Sequence, residues 1–308
     1  MSHQSPLPRL SVVMGVYREF RFLDAAVDSI LAQDFPDFEL ILVDDGNQRD
    51  DLFAGLVARD PRLRVVTHAV NRGHAAALNS GIAAARADII ARMDSDDIAM
   101  PDRFSQQYAA LAQDPGLGIV GSAVQLMDMA GLPGRIQHMP QTDLEVRWTI
   151  LFHNPFYHPT VMFRRTLFNA AGGYRASLVT SEDHYMWFDM LPHGRMANLT
   201  VPLLQYRINP TGMTANHATS PRARTHAIRQ QLWADIGLTY DLFDDALAGV
   251  ISRFLRGHPA PPNMQQAAFA VLNRVLDAYL AAPPACQDAQ TIAQGQQLAA
   301  RLRGRIDA

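Results

Sequence analysis

Short apolar runs broken by polar turns set the rhythm of the first hundred residues. Leu10 to Val16 reads as a strand and Tyr17 to Arg21 as a polar break, after which Phe22, Leu23, Ala26, Val27, Ile30 and Leu31 recur at helical spacing. A second apolar run, Phe38 to Val43, is closed by Asp44, Asp45 and Gly46. This is a βαβ pattern, whose parallel strands are buried on both faces and gather ligands at their carboxyl ends. Leu52 to Ala58 predicts a weaker helix and Leu63 to Thr67 a third strand. The alanines of NRGHAAALNSGIAAARAD predict a good helix, opened by Asn71, Arg72 and Gly73. The run Ile89 to Met93 then predicts a buried strand that stops at Asp94, Ser95, Asp96 and Asp97.

Beyond this point the pattern is more varied. Met100, Pro101 and Asp102 open a helix over about Arg103 to Ala112, since Pro is favoured in a first helical turn. Gly118 to Met127 predicts a strand, Gly131 to Gly134 a turn, and Thr142 to Leu151 a helix. HPTVMFRR predicts a short strand, Thr160 to Phe163, followed by a helix ending at Gly172 and Gly173. Ser181 is placed to cap another helix, with Glu182 and Asp183 in its first turn. From Ser220 onward the pattern is helical only. There Asn263 is placed as a cap, with Gln266 positioned for a capping box. Met264, Ala267, Ala268, Val271, Val275, Leu276 and Tyr279 lie on one stripe of that helix, between breaks at Pro259, Pro261 and Pro262 and at Pro283 and Pro284.

With 308 residues the chain has room for one large α/β domain or two smaller ones. Hydrophobic residues at 48%, charged ones at 19% and a net charge of -3 exclude a disordered chain and a general polycation for nucleic acid. The single cysteine, Cys286, rules out an internal disulfide and fits a reducing cytoplasm. The opening MSHQSPLPRL lacks the basic start and apolar centre of a signal peptide, and no apolar run is long enough to cross a bilayer. A cytoplasmic chain is therefore expected, at most peripheral at the inner face of the membrane. Arg301, Arg303 and Arg305 end the last helix and suit either its own dipole or an acidic membrane surface.

The candidate chemistry centres on the acids after the fourth strand. Three carboxylates within four residues repel one another unless a cation or hydrogen-bond donors sit among them. Oxygen ligands with no nearby Cys or fixed His spacing suit Mg2+ or Mn2+, which keeps waters and binds a substrate diphosphate. The same acids also suit a solvated turn before the next helix. At Asn71, Arg72 and Gly73, backbone N–H groups and an arginine can hold an anion, although Arg72 is equally readable as a solvated loop charge. Glu182 and Asp183 are equally readable as first-turn helix acids.

The order of these features resembles glycosyltransferase family 2, the inverting, nucleotide-sugar-dependent enzymes of the GT-A fold. It is carried from about Leu10 to Arg207 by the phrases SVVMGVYRE, SILAQDFPDFELILVDDG, NRGHAAALNSGI, ARMDSDDIAMPDR, HPTVMFRR, GGYR, SEDHYMWFDM and QYR. The resemblance implies an α/β fold with a Rossmann-like mixed, mainly parallel sheet flanked by helices, and a C-terminal helical extension. It implies a nucleotide-sugar-binding half over 1–105, an acceptor and catalytic-base half over 106–215, and the extension over 216–308. Gly15, Tyr17 and Asp45 would line the base pocket, Asp45 accepting from a pyrimidine ring, with Arg72 beside the nucleotide. Asp94 would lie near the ribose, Asp96 would ligate the metal that bridges the diphosphate, and Asp97 would support them. Asp183 would be the catalytic base, with Glu182, His158 and Arg207 on the acceptor or diphosphate side. Asn209 stands where many relatives have a His, and His217 comes later, a departure that bears on any flap over the donor.

These roles make chemical sense. Cleaving sugar from diphosphate builds negative charge that Mn2+ or Mg2+ stabilises, while a carboxylate takes the proton of an attacking hydroxyl, giving displacement with inversion. The implied donor is a UDP-sugar and the implied acceptor a glycan or lipid-linked glycan of a bacterial surface polysaccharide. The helical extension can dimerise, dock on a membrane-bound partner, or cover the catalytic domain. The rival from another class is a non-catalytic nucleotide-sugar-binding or scaffold protein, which is expected to lose Asp94, Asp96 or Asp183. An aspartate-nucleophile phosphatase places its acids after the first strand rather than the fourth. A sugar nucleotidyltransferase needs a Gly-rich basic loop where Val12 to Glu19 stands.

Overall fold

The computed structural model describes residues 7–178, 181–210 and 259–281, with isolated helical positions between 230 and 254 and between 297 and 304. His217, Pro283, Pro284, Cys286, Arg301, Arg303 and Arg305 lie outside the described residues, as does most of the region after Ser220.

The first hundred residues fold as their pattern demands. Strands β1 (Leu10–Val16), β2 (Phe38–Asp45), β3 (Leu63–His68) and β4 (Ile89–Met93) are joined by helices α1 (Leu23–Leu31), α2 (Asp50–Val57) and α3 (His74–Ala84). β1 pairs in parallel with β2 and β4, and β2 with β3. β1, β2 and β4 are buried almost throughout, with Leu10, Val12, Met14, Leu40, Leu42, Ala91 and Met93 fully buried, whereas β3 at the sheet edge is only partly covered. α3 packs close to β1 because Gly81 carries no side chain, a Cβ there overlapping Val13 and Val43. Asp44 and Asp45 belong to β2 itself, so the strand runs two residues past its apolar stretch.

The second half of this unit contains elements the hydrophobic pattern leaves out. After β4 come the two-residue β5 (Ile98–Ala99), α4 (Arg103–Gln113), β6 (Leu117–Met127) and β7 (Pro133–Gln137). A 3-10 turn, His158–Thr160, precedes β8 (Met162–Arg164), α6 (Arg165–Ala170), α7 (Glu182–Met190) and β9 (Arg195–Arg207). The 3-10 turn takes the start of the expected strand, which begins two residues later than its pattern indicates. The nine described strands form one mixed sheet in the order β3-β2-β1-β4-β8-β6-β9-β5, with β7 on the free part of β6. β6 and β9 are parallel, while β8 runs antiparallel to both β4 and β6 and joins the two parallel groups. Ser181 stands at the start of α7 in a left-handed conformation, φ 64°, and makes no side-chain cap bond, contrary to its expected role.

The chain divides into two compact units, Met1–Gln141 with Phe156–Ala215, and Thr142–Pro155 with Asn216–Ala308. The second holds α5 (Asp143–Ile150), started by a reciprocal capping box between Thr142 and Glu145, and α8 (Pro262–Ala281). Within it Trp233 Nε1 donates to the Leu151 carbonyl at 3.3 Å, and α8 buries Ala268, Val271, Leu272 and Val275. α8 begins at Pro262, a residue suited to a first helical position, so Asn263 lies inside the helix rather than capping it.

At the amino end of the sheet, Glu39 is fully buried on β2. It accepts from Ser11 Oγ at 2.7 Å, Arg64 Nη1 at 2.6 Å, and Arg86 N and Nε at 2.8 Å each. Burial alone would raise its carboxyl, but these donors outweigh it and hold Glu39 below its ordinary value. Glu39→Ala is expected to cost about 3 kcal/mol in urea unfolding at pH 7. A folded-state value below the unfolded one means that this contribution is present at neutral pH and is lost as the pH falls below about 4.5. The gap between wild type and variant should therefore shrink in acid.

Candidate active site

The carboxyl ends of β1, β2 and β4 lie side by side, and side chains tie them together. Asn47 donates from Nδ2 to the Val16 carbonyl at 2.9 Å and to Asp44 Oδ1 at 2.6 Å, while Arg18 N donates to Asn47 Oδ1 at 2.8 Å. Gly46 has φ 79°, and a Cβ there would meet the Asn71 backbone nitrogen at 2.5 Å, so only glycine fits beneath that loop. Gly15 sits near the end of β1. Tyr17 follows the strand at 40% exposure with the Arg18 guanidinium 4.9 Å from its ring centre.

Asp45 is buried at the end of β2 and organises the loop before α3. Its Oδ1 accepts from His68 Nδ1 at 2.7 Å and Arg72 N at 2.9 Å, and its Oδ2 from Asn71 Nδ2 at 2.7 Å and Gly73 N at 3.0 Å. These four donors occupy the four lone-pair positions of a carboxylate, so a base N–H would have to share an oxygen already in use. The Arg72 guanidinium is exposed and has no hydrogen-bond or ion-pair partner among the described residues.

The acidic turn follows β4. One carboxylate oxygen each from Asp94, Asp96 and Asp97 lies within 4.8 Å of the others. Burial, then the charge of Asp94, pushes Asp96 up to about 6, and burial with Asp94 and Asp96 raises Asp97 well above its usual range. Asp97 Oδ1 accepts from Arg207 N at 2.8 Å, but its buried Oδ2 has no partner. An all-oxygen set with an orphaned carboxylate oxygen fits a hard divalent cation. Arg207, the last residue of β9, holds this turn. Its Nε donates to the Asp96 carbonyl at 2.8 Å and its Nη1 to the Asp128 carbonyl at 3.0 Å, and its guanidinium lies 3.9 Å from the Phe22 ring centre.

Behind the acids lies a buried polar cluster that the apolar pattern conceals. Arg92, next to last in β4 and only 3% exposed, places Nη1 2.5 Å from Asp94 Oδ2 and donates from Nη2 to His74 Nε2 at 2.7 Å. Burial works against its charge, but Asp94 sustains it. Burial, then Arg92, lowers His74 to about 4. His158 Nε2 is 2.7 Å from the Tyr174 hydroxyl, and burial with Arg92 drives its value well below the usual imidazole range. The His74 and His158 rings meet edge to face at 5.9 Å.

Glu182 and Asp183 open α7 beside this cluster. Burial, then Asp183, pushes Glu182 up to about 7, and its carboxylate lies beside the His74 and His158 rings, the first of which also binds Arg92. His74, His158 and Glu182 are close enough to suggest a second cation site. The tautomer of His74 excludes it as a ligand in this arrangement. A guanidinium can only donate, so the one lone pair of His74 is spent on Arg92.

Arg92, His74 and Tyr174 are absent from the sequence expectations. A charged residue inside a five-residue buried strand was the signal for Arg92, whereas nothing in the alanine-rich helix distinguishes His74 from a solvated first-turn residue.

Comparisons with known proteins bear on the family and the fold. The profile of the family described as glycosyl transferase family 2 matches residues 11–173, more than half of the chain. The chain is 33% identical over 209 residues to the O-antigen biosynthesis glycosyltransferase WbnJ of Escherichia coli, covering 66% of this chain and 81% of WbnJ. It is 32% identical over 208 residues to the putative glycosyltransferase EpsE of Bacillus subtilis, covering 65% and 73%. Among solved structures, residues 1–349 of S. aureus TarS with UDP-GlcNAc match at a TM-score of 0.59 and 17% identity, covering 97% of this chain and 88% of that one. The chain spans 53% of the longer TarS structure. The mannosyltransferase PcManGT from Pyrobaculum calidifontis, in complex with GDP-Man and Mn2+, matches at 0.53 and 20%, covering 96% and 81%. The fold is GT-A, and with the profile match and the relationship to WbnJ, the chain belongs to glycosyl transferase family 2 and is a glycosyltransferase.

Proposed function

We propose that this glycosyltransferase moves a sugar from a UDP-sugar to a hydroxyl of a glycan or lipid-linked glycan, with inversion, in the assembly of a bacterial surface polysaccharide. The observation that carries the reading is that two groups of acids meet through one polar network, the Asp94, Asp96 and Asp97 turn through the Asp94–Arg92 pair, and the Glu182–Asp183 pair through Glu182 beside His74, which Arg92 also binds. One group of acids suits a cation and diphosphate, and the other suits a proton acceptor across the reacting carbon. Relatives named for O-antigen, amylovoran and succinoglycan biosynthesis support the pathway class. The UDP-GlcNAc complex of TarS supports the donor class.

In this reading residues 1–105 hold the nucleotide-sugar, 106–215 the acceptor and base, and 216–308 add a helical extension. Gly15, Tyr17 and Asp45 line the base pocket, Asp45 chiefly by fixing the Asn71–Gly73 loop. Arg72 lies beside the nucleotide and Asp94 near the ribose. Asp96 holds Mn2+ or Mg2+, supported by Asp97. Bound there, the cation would offset the charge that builds on the leaving diphosphate. Asp183 accepts the proton of the attacking hydroxyl. Glu182 and His158 shape the acceptor side, and Arg207 keeps the acidic turn in place.

Calorimetric titration of UDP, GDP, CDP and TDP with and without Mn2+ tests the donor site. One nucleotide should bind in a metal-dependent way, and Asp96→Ala should lose that binding while Asp183→Ala keeps it. Asp183→Asn should lower kcat on a UDP-sugar by about a hundred- to ten-thousandfold, the contribution of a positioned base, with little change in nucleotide affinity. Absence of nucleotide binding under every metal condition would overturn the nucleotide-sugar donor site assigned here.

The raised Asp96 value sets a pH dependence. A carboxyl near 6 is protonated at pH 5 and charged at pH 7, so metal-supported nucleotide affinity should rise through that window and then level off. Without a cation the same raised value means stability declines as the pH climbs through about 6, because the folded state prefers the protonated acid. Isothermal titrations at pH 5, 6, 7 and 8 measure the first effect, and Asp96→Asn should flatten it.

A further inference from the structure

The His74 tautomer has a second consequence at the cleft. Because Arg92 Nη2 donates to His74 Nε2 at 2.7 Å, the neutral imidazole must carry its proton on Nδ1. No partner for that N–H exists among the described residues. The ring edge that bears it faces Gly15 on β1, where an added methyl would sit 3.6 Å from Nδ1 and 3.7 Å from Cε1. The missing side chain of Gly15 therefore leaves a small recess beside Nδ1, bounded on its other side by Ala77 Cβ, 3.7 Å from the same methyl position.

We infer that this recess is a subsite for an acceptor oxygen of the nucleotide, either a ribose hydroxyl or a phosphoryl oxygen, bound by His74 Nδ1–H. The inference rests on the donor-site reading above, since Gly15 belongs to the pocket assigned there. The donor is set by three features. Arg92, held between Asp94 and His74, polarises the imidazole through the hydrogen bond it gives. Burial and the neighbouring guanidinium keep the ring neutral. The His158 ring, edge to face at 5.9 Å, limits its rotation. A neutral donor suits an oxygen acceptor and leaves the cation to the acids of the turn.

Three substitutions separate binding from packing. His74→Gln offers an amide oxygen to Arg92 but no donor at the Nδ1 position, whereas His74→Asn places an amide nitrogen near Nδ1 and gives up the tie to Arg92. Gly15→Ala fills the recess with a methyl that makes only ordinary contacts, so the strand should fold as before. Calorimetry uses whichever of UDP, GDP, CDP and TDP binds wild type best, together with its monophosphate and nucleoside, and thermal unfolding reports folding. His74→Gln and Gly15→Ala should each weaken diphosphate binding about tenfold, while His74→Asn stays within about twofold. A loss already present with the nucleoside assigns the ribose, and one confined to the phosphorylated ligands assigns the phosphate. Wild-type affinity in both His74→Gln and Gly15→Ala overturns the inference, as do equal losses in the two His74 variants, which would mark a packing role. Failure of wild type to bind any nucleotide overturns the donor-site reading and this inference with it.

Discussion

A guanidinium buried in the middle of a β-sheet is the constraint around which the cleft is arranged. Arg92 is 3% exposed, and removal from water works against its charge. What makes the position tolerable is its surroundings: Asp94 lies 2.5 Å from one terminal nitrogen and the lone pair of His74 meets the other. Each partner is in turn fixed by the contact. Asp94 is turned toward the sheet, and His74 is restricted to one tautomer. The remaining acids receive no such direct counter-charge. Asp96, Asp97 and Glu182 are all pushed upward, with burial the leading cause in each case. The cleft is thus anchored at one point by an ion pair and left short of positive charge elsewhere, which is the electrostatic setting a divalent cation and a diphosphate would complete.

Rigidity at the strand ends comes from side chains that bind backbone rather than from long loops. Asn47 spans β1 and β2, and Asp45 gathers two backbone N–H groups and an asparagine amide from the loop before α3. Such bonds, all within the chain itself, hold the end of β1 and the Asn71–Gly73 loop in register. Preorganisation of this kind lowers the ordering cost of binding. At the opposite end of the sheet Glu39 plays the matching part, drawing β1, β2, β3 and the turn before β4 together through Ser11, Arg64 and Arg86.

What could be read from the sequence followed from periodicity. Buried parallel strands need continuous apolar runs, so β1 and β4 were bounded to the residue and β2 and β3 to within two. The elements that escaped notice have no such run. β5 is two residues long, β7 is an exposed PGRIQ, and β9 mixes Arg195, Asn198, Thr200 and Pro202 into its thirteen residues. Pro202 sits where the pairing of β9 with β6 shifts register, an irregularity that lets a proline into an interior strand. The acids were visible because three carboxylates in four residues are conspicuous. The groups that set their behaviour were hidden, Arg92 inside an apolar run and His74 inside an alanine helix, because burial and pairing are properties of the fold rather than of local composition.

The acidic turn also shows why local reading stops short of a site. Asp96 and Asp97 follow β4 directly, yet their placement depends on a residue 110 positions later. Arg207 binds the Asp97 carboxylate through its backbone N–H and the Asp96 carbonyl through its side chain, and β9, which ends in Arg207, pairs with β5 just beyond the acids. The turn is therefore closed from both sides, by β4 before it and by β9 across it. A carboxylate cluster held this way cannot relax outward into solvent to relieve its own repulsion, as a free acidic loop would. That confinement keeps Asp96 and Asp97 in their raised state, and it is supplied by the far end of the catalytic unit rather than by the segment that bears the acids.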